Sequence, residues 1–149
     1  MDLEADARAL PVLLLALSSA LVSGTHAGAA ARGFDDIRPA HGFAFVRLAP
    51  SGATVGEIAE HLGVTKQAAS QLVEELVAKG YVARQPHPTD ARARLIVLTE
   101  RGWAATRAAD AAGAETVRPW IDVLGPERFH ALCTDLARIA PAGRIRPTW

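Results

Sequence analysis

The stretch Thr54–Glu100, TVGEIAEHLGVTKQAASQLVEELVAKGYVARQPHPTDARARLIVLTE, holds two helix signals and then two strand signals around an arginine-bearing loop. Thr54 and Glu57 make a T-x-x-E capping box, in which each side chain satisfies a backbone donor at the start of the next helix. Val55, Ile58, Ala59 and Leu62 then fall on one face of that helix. Gly63 supplies the turn, since a left-handed backbone is cheap only without a Cβ. Thr65 caps a second helix, Lys66 to Lys79, with Ala69, Leu72, Val73, Leu76 and Val77 on one side. Lys66, Gln67, Ser70 and Gln71 are left facing out near its start. Gly80 closes it. Tyr81–Gln85 and Arg94–Leu98 read as paired strands, with Pro86–Ala93 as the connecting loop. Two short helices across a tight turn, followed by a hairpin, make a winged helix-turn-helix, the geometry that seats a helix in the major groove of DNA.

Outward from this core, residues 2–30 read as a long apolar helix in which Leu3, Ala7, Leu10, Leu14, Leu17 and Leu21 alternate by four and three. Pro11 interrupts the seam, so the helix is expected to start near it or bend there. Gly33–Arg38 is a loop, and Pro39 suits the first turn of a short helix to Leu48. On the other side, Thr99 caps a long helix that carries Trp103 and is expected to bend at Pro119. Gly125-Pro126 opens a last helix with Phe129, Leu132, Leu136 and Ile139 at three-four spacing. The fold class is therefore mainly α with a small β-wing, in one domain: residues 53–99 form the winged helix-turn-helix, and 1–48 and 100–149 form flanking helices.

At 149 residues, half of them apolar, the chain can bury a real core and is no disordered tail. Its formal net charge is zero, which makes the placement of charge matter more than its sum. Arg84, Arg92 and Arg94 crowd the wing with Asp90 as the one acid, while Asp2, Glu4 and Asp6 make the N-terminus acidic. The single cysteine, Cys133, excludes an internal disulfide and fits a reducing cytoplasm. No Cys/His spacing suggests a metal site, and no cofactor is expected. Leu10–Gly24 has the apolarity of a signal peptide core, but its flank holds three acids against Arg8, and the run is short for a membrane span. The expectation is no export and no membrane.

The order of elements resembles the MarR family of bacterial transcriptional regulators. The specific part is the pattern T-x-x-E-I-A-x-x-L-G-V-T-K-Q-A-x-S-x-L-V-x-x-L, then G-Y-V-x-R-x-P-x-P-x-D-x-R and L-T-x-x-G, which runs from Thr54 to Gly102. Asp90-x-Arg92 in the wing is that family's usual signature. The resemblance implies a symmetric dimer built from the first and last two helices, with two winged helices spaced to meet successive major grooves of a pseudo-palindromic operator. It also implies release of DNA, in many members, when a small aromatic or anionic effector binds between the dimer and DNA-binding regions. The chain departs from the family pattern in its very apolar first helix and its neutral charge.

On these grounds Gln67, Ser70 and Gln71 are the candidate base readers, since Gln can bond adenine twice and Ser reaches most base edges. Thr65 and Lys66, at the helix N-terminus, are candidates for phosphate. Arg92 is the candidate for the minor groove, whose negative potential draws a guanidinium, with Asp90 expected to orient it or a neighbouring arginine by an ion pair. Arg84 and Arg94 serve either as phosphate contacts or as cross-strand charges. The family's pocket location makes His26, His41, Phe43, Phe45 and Trp103 the effector candidates, against a plain reading as core aromatics and partly exposed histidines. Cys133, beside Leu132, reads as a small hydrophobe. Thiol-based redox regulators of this kind resemble one another in an N-terminal cysteine that this chain lacks. A winged helix used for protein interaction or architecture would place acidic or apolar residues where Gln67, Ser70, Gln71 and Arg92 stand. No nucleophile–base set, paired carboxylate or phosphate loop points to an enzyme.

Overall fold

The computed structural model describes residues 1–140, so residues 141–149 of the expected 100–149 flank lie outside the described residues. In chain order the elements are α1 (Leu3–Ala31), α2 (Pro39–Leu48), α3 (Val55–Leu62), α4 (Lys66–Ala78), β1 (Val82–Pro86), β2 (Arg94–Leu98), α5 (Glu100–Leu124) and α6 (Pro126–Ile139). This is a mainly helical chain with one small antiparallel sheet, as the sequence pattern predicts. The strands pair in the register Val82↔Leu98 to Pro86↔Arg94. Ala53 adds a short third rung: its N–H donates to the Ile96 carbonyl (3.0 Å) and its carbonyl accepts from the Ile96 N–H (2.8 Å).

The local signals act as their chemistry requires. The Thr54 hydroxyl accepts from the Glu57 N–H (3.2 Å), and the Glu57 carboxylate accepts from the Thr54 N–H (2.8 Å). Gly63 ends α3 at φ +69, in the left-handed region. The Thr65 and Thr99 hydroxyls accept from Ala68 N–H and Gly102 N–H, both at 3.1 Å, and so start α4 and α5. Ile58, Leu62, Ala69, Val73, Leu76, Tyr81, Val82, Ile96 and Leu98 join Ala44, Phe45 and Leu48 of α2 in one core. Val55, Leu72 and Val77 are only half-buried at its margin.

Two elements start elsewhere than expected. α1 does not start at Pro11; it begins at Leu3, where Asp2 caps it by accepting from Ala5 N–H (3.1 Å), and Pro11 lies inside it. Proline removes one amide donor, which leaves the carbonyl of exposed Ala7 to solvent. α5 continues as one helix past Pro119. The first strand begins at Val82, because the Tyr81 N–H is already used by the Leu76 carbonyl at the end of α4 (2.9 Å).

The apolar run Leu10–Gly24 is part of a 29-residue helix that is long and apolar enough to cross a membrane by length and composition, a condition that core helices of soluble proteins also meet. Its second half is docked on α5 through small residues. A Cβ at Gly24 would collide with Thr116, and one at Gly28 with Ala112. Arg32 closes the seam, donating to Glu115 at 2.6 Å. Its first half, residues 3–20, is exposed in the single chain, with Leu10, Val12, Leu13, Leu14, Leu15 and Leu17 bare. Leu132, Leu136 and Ile139 of α6 are bare as well.

Candidate nucleic-acid interface

The N-terminal face of α4 is where the fold presents polar side chains on a rigid support. Lys66, Gln67 and Gln71 are exposed and Ser70 is half-buried. Positions 67, 70 and 71 lie on one surface by helical spacing. Thr65 uses its hydroxyl oxygen as the cap acceptor, so its hydrogen is left to donate outward. Behind the helix, Ala69, Val73 and Leu76 are fully buried and fix its orientation.

The wing is held by local acceptors. Arg84, Arg92 and Arg94 are all exposed, and among the described residues none of them pairs with an acid. Asp90 does not form the expected ion pair with Arg92. Its Oδ1 accepts the backbone N–H of Arg92 instead (2.9 Å), and its carbonyl accepts from the Ala93 N–H (3.1 Å). A short carboxylate two residues before an amide closes a turn more readily than it meets a long, solvated guanidinium. The Arg92 guanidinium is therefore left free for an outside anion. The sequence reading also passes over His87, whose Nδ1 accepts from the Thr89 N–H (3.3 Å) and the Asp90 N–H (3.1 Å).

A second group, also unmarked in the sequence, ties this surface to the flanking elements. Glu75 of α4 pairs with Arg38 at the start of α2, with Lys79 (2.9 Å) and with His41 (3.3 Å). Hydrogen bonds from Lys79 and then Arg38 hold its carboxyl down to about 2. Lys79 also donates to the Asp36 carbonyl (2.5 Å), and the buried Tyr81 hydroxyl donates to Asp36 Oδ1 (2.5 Å). Arg101 of α5 lies over the Tyr81 ring, 4.6 Å from its centre, and donates to the Tyr81 hydroxyl (3.1 Å). The loop before α2, α4, the wing root and α5 thus meet at one polar node. Between α4 and α2–α3, Leu62, Val64 and Leu72 floor a groove of about 290 Å³ rimmed by Arg38, Glu75 and Gln71.

His41 sits inside that node with no exposed surface. Its Nδ1 accepts the Arg38 N–H (3.1 Å), which caps α2 and puts the ring hydrogen of the neutral form on Nε2, facing Glu75. Burial, only partly opposed by Glu75, pushes the imidazole below its ordinary 6.5. The unfolded chain then binds a proton that the folded chain refuses, so this contribution to stability is complete above 6.5 and is lost as pH falls below it. The carboxyls of Glu75, Asp36 and Glu57 are all lowered, so their contributions are lost in a separate, more acid window, as pH falls below about 4.5. Urea titrations should show midpoints that fall between about pH 7.5 and about pH 5 in the wild type and far less in His41→Gln. An equal fall in both proteins would remove His41 from the account.

Of the five effector candidates, Trp103 alone lines either the groove beside α4 or the depression on α5. His41 and Phe45 are interior, and the Phe45 ring packs 5.8 Å from that of Tyr81. Phe43 is half-buried against the core, its carbonyl 3.2 Å from Nε2 of the buried His61, and His26 is half-buried on α1. Trp103 is 40% exposed and opens on a depression of about 600 Å³ with Glu100, Arg101 and Arg107, apart from the other four. Cys133 is exposed on α6 and packs in no core of the single chain, so the small-hydrophobe reading finds no burial there. Among the described residues no group of His, Cys, Asp and Glu could hold a metal ion.

Known structures share this architecture. RV1404 from Mycobacterium tuberculosis aligns over 93% of this chain and 97% of its own, at 24% identity and a TM-score of 0.73. MarR from E. coli in its apo form aligns over 89% and 97%, at 22% identity and 0.72. A mutant MarR from E. coli complexed with operator DNA aligns over 95% and 100%, at 22% identity and 0.67. No curated protein sequence matches. The MarR family model matches residues 38–93, from the Arg38–Glu75 node to the end of the wing loop. Over those residues the chain is similar to the MarR family, and over nearly its whole length it shares the fold of these structures.

Proposed function

We propose that the protein is a dimeric, sequence-specific DNA-binding regulator of transcription, acting as a repressor in the cytoplasm. The observation that carries this reading is the wing: three exposed arginines without acid partners among the described residues, beside a helix whose outward residues are Lys66, Gln67, Ser70 and Gln71. A guanidinium left unpaired on a loop closed by Asp90 is suited to phosphate or to the narrow minor groove. Gln67, Ser70 and Gln71 would read base edges, and Thr65, Lys66, Arg84 and Arg94 would hold phosphates. In this reading residues 53–99 are the reading head, and 1–48 with 100–149 are the dimer frame. The bare leucines of α1 and α6 support it, since monomers rarely expose apolar patches of that size.

Relief by a small aromatic or anionic ligand fits the same plan. Such a ligand shifts the population only if it prefers dimers whose two heads are wrongly spaced for DNA. The groove beside α4 is the better cavity for it than the five scattered candidates, because its rim carries Arg38 and its floor is apolar. Selection of duplexes from a random DNA pool by the purified protein tests the reading as a whole.

A further inference from the structure

We propose that His87 is the positioning residue of the wing: its neutral imidazole holds the turn that presents Arg92, and a proton on Nδ1 releases it. The inference rests on the DNA-binding reading above. Two donors converge on that one nitrogen, the N–H groups of Thr89 (3.3 Å) and Asp90 (3.1 Å), with the Thr89 hydroxyl 3.4 Å away. A ring nitrogen accepts through a single in-plane lone pair, so the contacts require an unprotonated Nδ1 and place the ring hydrogen on Nε2. The next link follows directly. Asp90, whose amide His87 fixes, uses Oδ1 to hold the Arg92 N–H (2.9 Å) and its carbonyl to hold Ala93 (3.1 Å). Residues 87–93 are thus closed by two consecutive side-chain acceptors, with Arg92 at the second.

Protonation takes one proton from solvent onto Nδ1 and consumes the lone pair. The Thr89 and Asp90 amides then turn to water. Glu57 of α3 lies close enough for the charge of His87 to act on it. The charged groups around the ring are Asp90 in its own loop, Glu57, the Arg47 of α2 that pairs with Glu57 (3.1 Å), and Arg94, opposite Pro86 in the hairpin.

The test compares the full-length wild type with His87→Ala and His87→Asn, whose amide oxygen can still accept in a turn but does not titrate in this range. The first readout, on the free protein, is exchange protection of the Thr89 and Asp90 amides by NMR from about pH 8 to about pH 5. The second is affinity for mixed-sequence duplex DNA over the same range. The proposal expects wild-type protection to fade with acid, His87→Asn to keep it throughout and His87→Ala to lack it. Loss of one such hydrogen-bonded turn should weaken DNA binding on the order of fivefold in His87→Ala, with His87→Asn restored and flat with pH. Protected amides in His87→Ala overturn the clasp. Equal DNA affinity in the two variants overturns the positioning role. If the amides behave as expected but no form binds DNA, the DNA-binding reading fails and the positioning role falls with it.

Discussion

Gly102→Ala should destabilise the protein by about 2–3 kcal/mol, the size of an overpacked core. Gly102 is the glycine of the L-T-x-x-G pattern and is buried where α5 starts. A Cβ there would overlap the Tyr81 carbonyl oxygen and press on the Leu98 side chain. Neither side can give way cheaply. The same carbonyl accepts the Thr99 N–H (3.0 Å), and the Thr99 hydroxyl donates to the Gly80 carbonyl (2.6 Å) while accepting from Gly102 N–H. One methyl group therefore strains the joint between recognition helix, wing and α5 at once. The control is Gly42→Ala on α2, where a new Cβ meets nothing within 4 Å. That change should stabilise by about 0.5–1 kcal/mol, since alanine loses less backbone freedom in a helix. Thermal unfolding of the two variants should thus move in opposite directions, and a neutral Gly102→Ala would show that the α5 start is looser than described.

Arg92→Ala should cost DNA affinity on the order of tenfold while leaving folding unchanged. The side chain is exposed and makes no ion pair among the described residues, so nothing in the folded chain depends on it. Its backbone amide, which Asp90 holds, survives the substitution. A lost phosphate or minor-groove contact weakens binding nearly uniformly across sequences and lowers the slope of log affinity against log salt by about 1. Gln71→Ala should instead change which bases are preferred. An unchanged salt slope in Arg92→Ala would place the wing away from DNA.

What the sequence made legible was local. Thr54 with Glu57, Thr65, Gly63, Gly80 and Thr99 each act on backbone within a few residues, so their types and spacing are enough to place helices and turns. What stayed hidden depends on residues far apart in the chain. Arg38 and Glu75 are 37 positions apart and Asp36 and Tyr81 are 45 apart, and no periodicity links them. The effector candidates were chosen by aromatic and histidine type, but burial is decided by packing, which put His41 and Phe45 inside and left Trp103 out. At Asp90 the charge was visible, yet a nearby amide competes better for a short carboxylate than a solvated guanidinium does. Gly24 and Gly28 of α1 carry no pairing signal in the sequence; in the fold they are where α5 packs against the helix.

These details serve one central claim, that two copies of this winged helix read DNA together. Selection from a random duplex pool with the purified full-length protein tests it most directly. The account predicts an enriched pseudo-palindrome whose half-sites lie about one helical turn apart, centre to centre, bound by a dimer. Enrichment of no sequence, or of a single half-site bound by a monomer, would contradict it.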